Sequence, residues 1–376
     1  ALARRGAAVT VLEQAPAIIE VGAGLQVSPN GARVLRALGL GEALAATGLA
    51  AEAVELREGA TGREVLRLDL RRGHQATDGG YFFLHRADLV TLLLDAAVAA
   101  GARVKTACRV EGLTLRANSV LLRLDDGTSH AADLLVGADG LHSVVRQQLE
   151  PEAQPFFTGQ VAWRAVIAET AAAAPVAQVF MGPGRHLVSY PLRGGRARNL
   201  VAVEERSSWA AEGWHHRDDP ERLRAAFAGF GGPVPGWLAA LEEAHLWGLF
   251  RHEVVQRWHQ GACVLAGDAA HPTLPFLAQG ANMALEDAWV LADALAREPT
   301  REAAFGAYQA ARERRVRRIV AAAEGNARVY HLAGPARWVA QRLLGLSGRV
   351  APGLALRRFD WLYGHDVTAG ASQRPA

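Results

Sequence analysis

Hydrophobic positions along the chain fall into short runs whose period changes several times. Near the start, an Ala/Arg segment closes at Gly6, and apolar residues then fill 8–12 and stop at Glu13. That pattern predicts the last turns of a helix followed by a buried strand. Positions 21–40 predict a Gly-rich loop leading into a short amphipathic helix, and 52–70 and 81–84 predict short alternating strands. A helix is expected over 85–101, with Asp88 in its first turn and Gly101 as its stop. Strands follow at 102–107, 110–115 and 120–124, the last closed by the turn "DDGT", and "DLLVGADG" (133–140) reads as a further buried strand.

From 160 to 204 the chain is mostly strand with Gly-rich turns such as "MGPG" and "RGG". A helical interval near 219–245 precedes strands at 249–255 and just before Gly267. The period is helical from Gln279 to about Val329, with a break near Pro299, and the tail from Pro335 holds one more helix and a loosely packed Gly/Pro-rich end. Strand and helix thus alternate in the outer thirds, while the middle third is mainly strand. This predicts a dinucleotide-type α/β domain, discontinuous in sequence, with a β-rich domain inserted into it. The first domain is drawn from 1–50, 80–155 and 256–334, the second from 51–79 and 156–255, and a helical tail covers 335–376. A strand ending in an acid after a helix is the second half of a dinucleotide-binding βαβ unit. Its first strand and Gly-rich turn do not precede it, so roughly 20 residues are expected to be missing upstream.

Composition narrows the function classes. The 376 residues carry 41 basic and 38 acidic side chains, and Lys105 is the only lysine. That near-balance, with no aromatic-interleaved basic patch, argues against nucleic-acid binding. No apolar run approaches ~18 residues, so no membrane span is expected. No signal peptide is seen, and Cys108 and Cys263 read as two buried thiols, so a cytoplasmic protein is expected.

The stretch "GDAAHPTLPFLAQGANMALEDA" (267–288) carries the chemistry. Asp268 at the carboxyl end of a strand can accept hydrogen bonds from the hydroxyls of a sugar-like chain. Pro272 and Pro275 stiffen the loop. Gly280 lets main chain approach a flat ring, and the helix that it opens points its positive end at whatever lies above. A flat ring that becomes anionic during turnover, such as reduced flavin, suits this site.

The same stretch resembles the flavin-binding GD motif of the class A flavoprotein aromatic hydroxylases, the p-hydroxybenzoate hydroxylase-like group. "LLVGADGLHSVVR" (134–146) resembles that family's DG motif, "VTVLEQ" (9–14) its FAD ribose strand, and "FLHRADL" (83–89) its FAD phosphate segment. "FDWLYGHDV" (359–367) resembles the end of the salicylate hydroxylase-like branch. The match spans nearly the whole chain, and the departure is the absent N-terminal GxGxxG. The resemblance implies a Rossmann-like FAD-binding domain with an inserted mainly β substrate domain and C-terminal helices. It implies FAD as cofactor and NADH or NADPH as a transient cosubstrate. It also implies O2 and a small aromatic substrate, a hydroxybenzoate or hydroxypyridine, hydroxylated through a C4a-hydroperoxyflavin.

Carried over by position, Glu13 binds the adenosine ribose, Arg86 the pyrophosphate region, and the Val110 backbone the adenine. Asp268 binds the ribityl chain, with Pro275 and the backbone of Gly280, Ala281 and Asn282 at the isoalloxazine. Gln26, with its neighbours from Gly24, approaches the flavin from the other side. Asp139 either touches the cofactor or braces its own loop, and Arg146 supports that loop. In "GRHLVSYPL" (184–192), His186 and Tyr190 are four apart on a strand and so share a face. The resemblance places such a pair in the aromatic pocket as the group favouring the phenolate; the other reading is plain sheet packing. Trp163 and Arg164 read as packing and a surface charge, "RERRVRR" (312–318) as a solvated basic face, and His215-His216 as lacking companions for a metal. Two alternatives stay open: a related flavin monooxygenase for a larger quinone or polyketide, and a flavin-free binding protein on the same fold. The oligomeric state is not fixed, and a homodimer is one arrangement that the sequence allows.

Overall fold

Strands drawn from 53–69 and 156–251 gather into one eight-stranded sheet. In the computed structural model, which describes residues 1–18, 24–71, 80–116, 118–207, 217–350 and 352–369, their spatial order is as follows. Arg217–Asp218 lies at one edge, then Ala244–Arg251, Phe156–Ala168, Ala197–Glu205, Arg185–Leu192, Val176–Gly182 and Ala53–Glu58, with Glu64–Asp69 at the other edge. Neighbours are antiparallel except Val176–Gly182 with Ala53–Glu58.

Alternation along these strands gives the sheet two different faces. Trp163, Ile167, Leu187 and Leu200 point to one side and pack against Leu223 and Leu238 of the short helices Pro220–Ala226 and Val234–Ala239. Ala162, Val203 and Trp247 point to the other and meet Leu274 and Phe276, together with Ala327 of the long helix Arg301–Tyr330. The second face is therefore roofed by the loop that follows Gly267.

Smaller sheets complete the fold. Thr10–Leu12 runs parallel to Arg103–Lys105, and Leu135–Gly137 runs parallel to Cys263–Leu265. A three-stranded meander joins Val110–Leu115, Val120–Leu124 and Ser129–Ala132. Gly24–Val27, Phe82–His85 and Leu49–Ala50 form another sheet. The mixed α/β architecture with C-terminal helices is the expected one.

The basic run at 312–318 corrects the sequence reading. Arg312 is fully buried, because it takes the slot between Tyr308 and Val316 on the inward stripe of its helix. Its Nε donates to Asp287 Oδ1 at 2.8 Å, and its Nη1 donates to Glu286 Oε2. Arg315 adds two hydrogen bonds of 2.8 Å to Glu286 and donates to the carbonyls of Trp361 and Leu362. The rest of the run, Arg314, Arg317 and Arg318, is exposed as expected.

Other differences have simple physical causes. Thr10–Leu12 is not buried: Val11 is 41% exposed, since among the described residues the strand pairs along one edge only. The strand predicted at 249–255 is Ala244–Arg251, in register with Phe156–Ala168; Val254 and Val255 are buried instead in a connecting segment, where Val255 N donates to Ala270 O. Among the described residues the tail holds three helices, Gly334–Val350, Pro352–Arg357 and Asp360–Tyr363, and Leu356, Leu362 and Tyr363 join the main core; its last residues, 370–376, lie outside the described ones. Cys108 is only half-buried, whereas Cys263 is buried. His215-His216 lies outside the described residues.

Burial alone would raise the Glu286 carboxyl, but the Arg312 and Arg315 charges hold it at about 2, against 4.5 for the free group. Burial opposes ionisation of Asp287 as well, and His271 and Arg312 bring it well below the usual range. Both acids thus lend stability above their unfolded values, and that stability is lost as pH falls from about 4.5 towards 2. Removing the shared cation leaves Glu286 with Arg315 alone and Asp287 with His271 alone, two buried carboxylates each short of a partner. Arg312→Met should therefore cost about 3–5 kcal/mol, while the exposed Arg314→Met stays within about 0.5 kcal/mol. Denaturant midpoints of the two variants check this, and equal midpoints would contradict the keystone role.

Candidate functional site

The strand Cys263–Leu265 runs out at Ala266, and Gly267 turns the chain with a φ of 60°. Gly267 N donates to Asp287 Oδ2 at 2.9 Å, and His271 Nε2 donates to the same oxygen at 2.7 Å. The loop is therefore tied at Gly267 and at His271 to the helix that follows it, Gly280–Arg297. Just before that helix Ala278 adopts a left-handed φ of 52°, a conformation that costs a non-glycine residue about 1 kcal/mol or more. That strain sets the entry angle of the helix.

Asp268 is reached by solvent, yet protein crowds it closely. Desolvation pushes its carboxyl above the usual carboxylate range; His271 and Arg86 pull it back, and Asp287 adds to the rise. A group that is exposed to solvent and still crowded by protein lies in a concave part of the surface, a cleft. Gly280 stands beside it: a methyl group added there would lie 4.0 Å from Asp268 Oδ1 and 3.7 Å from Thr273 Cγ2. No side chain caps this helix, so the N–H groups of its first turn, Gly280 and the exposed Ala281 among them, face the cleft uncapped. Arg86, the first residue of the helix Arg86–Ala99, acts on Asp268 across the cleft.

The opposite wall is stitched to the same helix. Asn282 is buried; its Nδ2 donates to Gln26 O at 3.0 Å, and its Oδ1 accepts from Ser28 N at 3.0 Å. The Gln26 side chain accepts from Tyr81 Oη at 2.5 Å. Asn30 donates to both Gln279 and Glu286, at 3.1 and 2.6 Å. Gln26, Asn282, Gly280, Asp268 and Arg86 thus belong to one cleft.

Glu13 and Val110 lie at a second position. Glu13 N donates to Lys105 O, Cys108 N donates to Glu13 O, and one carboxylate oxygen accepts from Ala15 N at 2.8 Å. Val110 begins its strand two residues after Cys108. Asp139 is engaged by its own loop: Ser143 Oγ donates to one oxygen, and Val144 N and Val145 N donate to the other at 2.8 and 3.3 Å. It braces the start of the helix Val144–Leu149.

His186 and Tyr190 do share the roofed face of the large sheet, and both are buried. Phe276, next to Pro275, stands edge-on to His186 with centroids 5.2 Å apart. Tyr190 packs on Phe83 at 5.3 Å and underlies Gly24, where any Cβ would come within 2.6 Å of the tyrosine ring. Burial lowers the His186 imidazole well below its ordinary value and raises the Tyr190 phenol.

Arg164 corrects the sequence reading, because its register with Val201 and Val188 turns it to this same face rather than to the surface. There it stacks over Trp247, 4.2 Å from the ring centroid. The sequence reading also missed His331, whose Nε2 lies 2.7 Å from His186 Nδ1. An open groove of about 1300 Å³ lined by Glu150, Gln256, Arg257 and Arg301 holds none of these residues, so the chemistry and not the volume marks the site.

The family profile described as "FAD binding domain" matches residues 1–323. This chain belongs to that family. Over 99% of its length the chain is 35% identical to a 3-amino-4-hydroxybenzoate 2-monooxygenase, PtmB3, of Streptomyces platensis, covering 93% of that protein. It is 36% identical to a 3-hydroxybenzoate 6-hydroxylase of Klebsiella oxytoca, over 96% of this chain and 92% of that one. Among solved structures, an HpxO variant of Klebsiella pneumoniae complexed with FAD superposes with a TM-score of 0.80 at 26% identity, over 93% and 90% of the two chains. The protein is thus an FAD-dependent aromatic monooxygenase of class A, an oxidoreductase that uses NAD(P)H. Among the described residues, no helix is long and apolar enough to cross a membrane.

Asn282→Ala should cost about 1–3 kcal/mol by leaving Ser28 N and Gln26 O unpaired. Amide exchange of residues 24–28 should rise with it. Unchanged exchange there would show that this opposite wall is held by other contacts.

Proposed function

We propose that this monooxygenase hydroxylates a small phenolic carboxylate, a hydroxybenzoate or the hydroxypyridine analogue, using NADH or NADPH and O2. The observation that carries the reading is His186: a fully buried imidazole with Nδ1 engaged and Nε2 without a hydrogen-bond partner among the described residues, on the face roofed by Phe276. A buried lone pair with no donor is costly unless a ligand supplies one, and a phenolic hydroxyl does. Taking that proton makes the ring electron-rich, which ring hydroxylation requires. Tyr190 assists from the same face.

Arg164 gives the carboxylate its partner. It shares that face, and its charge is felt at Tyr190. The relatives' names point the same way, since both specify hydroxybenzoates. The enclosure of His186 and Tyr190 supports a single small ring over an extended quinone or polyketide.

The cleft fits FAD. Asp268, desolvated and reachable, suits the ribityl hydroxyls, and the uncapped first turn at Gly280, Ala281 and Asn282 suits an electron-rich flat ring, with Pro275 beside it. Gln26 closes the other side, Arg86 meets the pyrophosphate, and Glu13 and the Val110 backbone hold the adenosine end. Asp139 acts by shaping its loop. FAD bound here supplies hydride acceptance from the nicotinamide and the activation of O2.

The segments 1–50, 80–155 and 256–334 form the FAD-binding domain, and 51–79 and 156–255 the substrate domain. The reaction is cytoplasmic, where reduced nicotinamide is at hand. A homodimer is favoured by Val339, Leu343, Leu346 and Val350, an exposed apolar row at helical spacing on Gly334–Val350.

Two variants test the proposal. Gly280→Ala meets nothing closer than 3.7 Å and favours helix by up to about 1 kcal/mol, so the protein should melt no lower. FAD affinity, read by flavin fluorescence quenching, should nevertheless fall. Equal FAD affinity would remove the ring from this helix end. His186→Gln should keep FAD and NAD(P)H oxidation with 3-hydroxybenzoate or 3-amino-4-hydroxybenzoate present, but release peroxide in place of hydroxylated product. Unchanged coupling would remove His186 from the role of base.

A further inference from the structure

Three side chains connect the floor of the proposed substrate site with the surface. His186 Nδ1 lies 2.7 Å from His331 Nε2, and His331 Nδ1 lies 2.7 Å from Glu205 Oε1. Exposure rises along this row: His186 has none, the His331 side chain is 3% exposed, and that of Glu205 is 53% exposed. The row is held by backbone as well, since Gly184 N donates to His331 O at 3.1 Å and Glu205 N donates to Gly184 O at 2.9 Å.

The hydrogen-bond direction is fixed from the outer end. A carboxylate only accepts, so His331 carries its proton on Nδ1 and presents a bare Nε2. His186 must then donate from Nδ1, which leaves its own Nε2 as the bare, buried acceptor. Tyr330 and Phe276 wall the pair with rings, at 5.2 Å each from His186. Arg185, at the start of the same strand, is occupied by Glu204 and Ala226 O. Among the described residues, no other charged group is bonded to either imidazole.

We propose that His186, His331 and Glu205 form a proton relay that carries the phenolic proton of the substrate to solvent. The relay rests on the reading of His186 as the base. The phenol O–H bond breaks as its proton joins His186 Nε2, the Nδ1 proton of His186 passes to His331 Nε2, and the Nδ1 proton of His331 passes to Glu205. Glu205 then loses it to water. One proton leaves the substrate, one reaches solvent, and neither imidazole retains an extra charge. The reverse shift, begun by protonation of Glu205 from water, delivers a proton to the departing product and restores the starting tautomers. Burial favours this route, because it keeps both rings neutral between turnovers. His331 and Glu205 are thus positioning residues that act through His186.

The tautomers are read directly by long-range 15N–1H correlation on protein labelled at histidine nitrogen. His186 and His331 should both carry Nδ1–H and bare Nε2 at neutral pH. An Nε2–H tautomer at His186 would overturn the relay without reference to any ligand. In the FAD-loaded protein, 4-hydroxy-3-nitrobenzoate serves as the optical probe, since its phenolate absorbs in the visible. Stopped-flow ionisation of the bound probe should slow at least about tenfold in both His331→Gln and the surface variant Glu205→Gln, with probe affinity kept, and His186→Gln should abolish it. Loss with His186→Gln but unchanged rates in the other two would sink the relay and spare the base. Full ionisation in His186→Gln would sink both.

Discussion

Arg312 sits between Glu286 and Asp287 with all three wholly buried, and each wall of the cleft is bonded to one of the two acids. Asp287 holds Gly267 N and His271, so it anchors the first part of the loop that carries Asp268. Glu286 holds Asn30, which belongs to the opposite wall, and Arg315, which grips the carbonyls of Trp361 and Leu362. One cation thus sets the spacing between the two sides of the cleft and seats the C-terminal segment against it. A buried charge group of this kind is poor evidence for stability against an apolar replacement of all its members. Its use is geometric: ionic and hydrogen-bonded partners have few satisfactory arrangements, whereas apolar ones have many.

That rigidity is what permits strain where the ligand is to lie. Gly267 and Ala278 both turn the chain through left-handed backbone, and Ala278 does so with a side chain in place. Neither bend would persist in a loop held only by its own contacts. Here the bends are tied to Asp287 and, through Asn282 Nδ2, to the carbonyl of Ala278 itself, at 2.8 Å. The first turn of Gly280–Arg297 is thereby aimed into the cleft with its N–H groups uncapped, and Asp268 is held beside it in a desolvated setting. Scaffold and site are two uses of one stretch of sequence, 267–288.

Much of this was legible, and the failures share a cause. Strand and helix periods located most strands of the large sheet and the long helices, but not Gly41–Thr47, Ser129–Ala132 or Val144–Leu149, and the motif at 267–288 singled out Asp268, Pro275 and Gly280 as neighbours. Contact across long sequence separations was not legible. Arg312 was read with its neighbours as a charge run, although it follows Tyr308 and precedes Val316 at intervals of four on an otherwise apolar stripe. The acidic pair Glu286-Asp287 within the same motif was the available hint of its partner. Arg164 was read as surface because a lone strand does not say which face is covered; the pairing with Val201 and Val188 decides it. His331 gave no signal, since it follows the last turn of a helix 145 residues from His186.

The division of charge between scaffold and site follows from the same physics. In the scaffold Arg312 and Arg315 are the counterions of Glu286, and Arg312 that of Asp287, so this cluster is electrically paired before any ligand arrives. In the site His186 is kept neutral by burial, and Arg164 is the cation on its face. An ionised phenol in that setting gains from a nearby cation far more than it would in water, where two charges 4 Å apart interact by only about 1 kcal/mol. A protonated His186 left in place would supply such a cation only while holding the proton that could recombine with the phenolate. In the proposed relay, passing that proton outward leaves the ring anionic and the imidazole neutral, with the Arg164 cation on the same face. The proposed site therefore separates the group that removes the proton from the group that stabilises what remains.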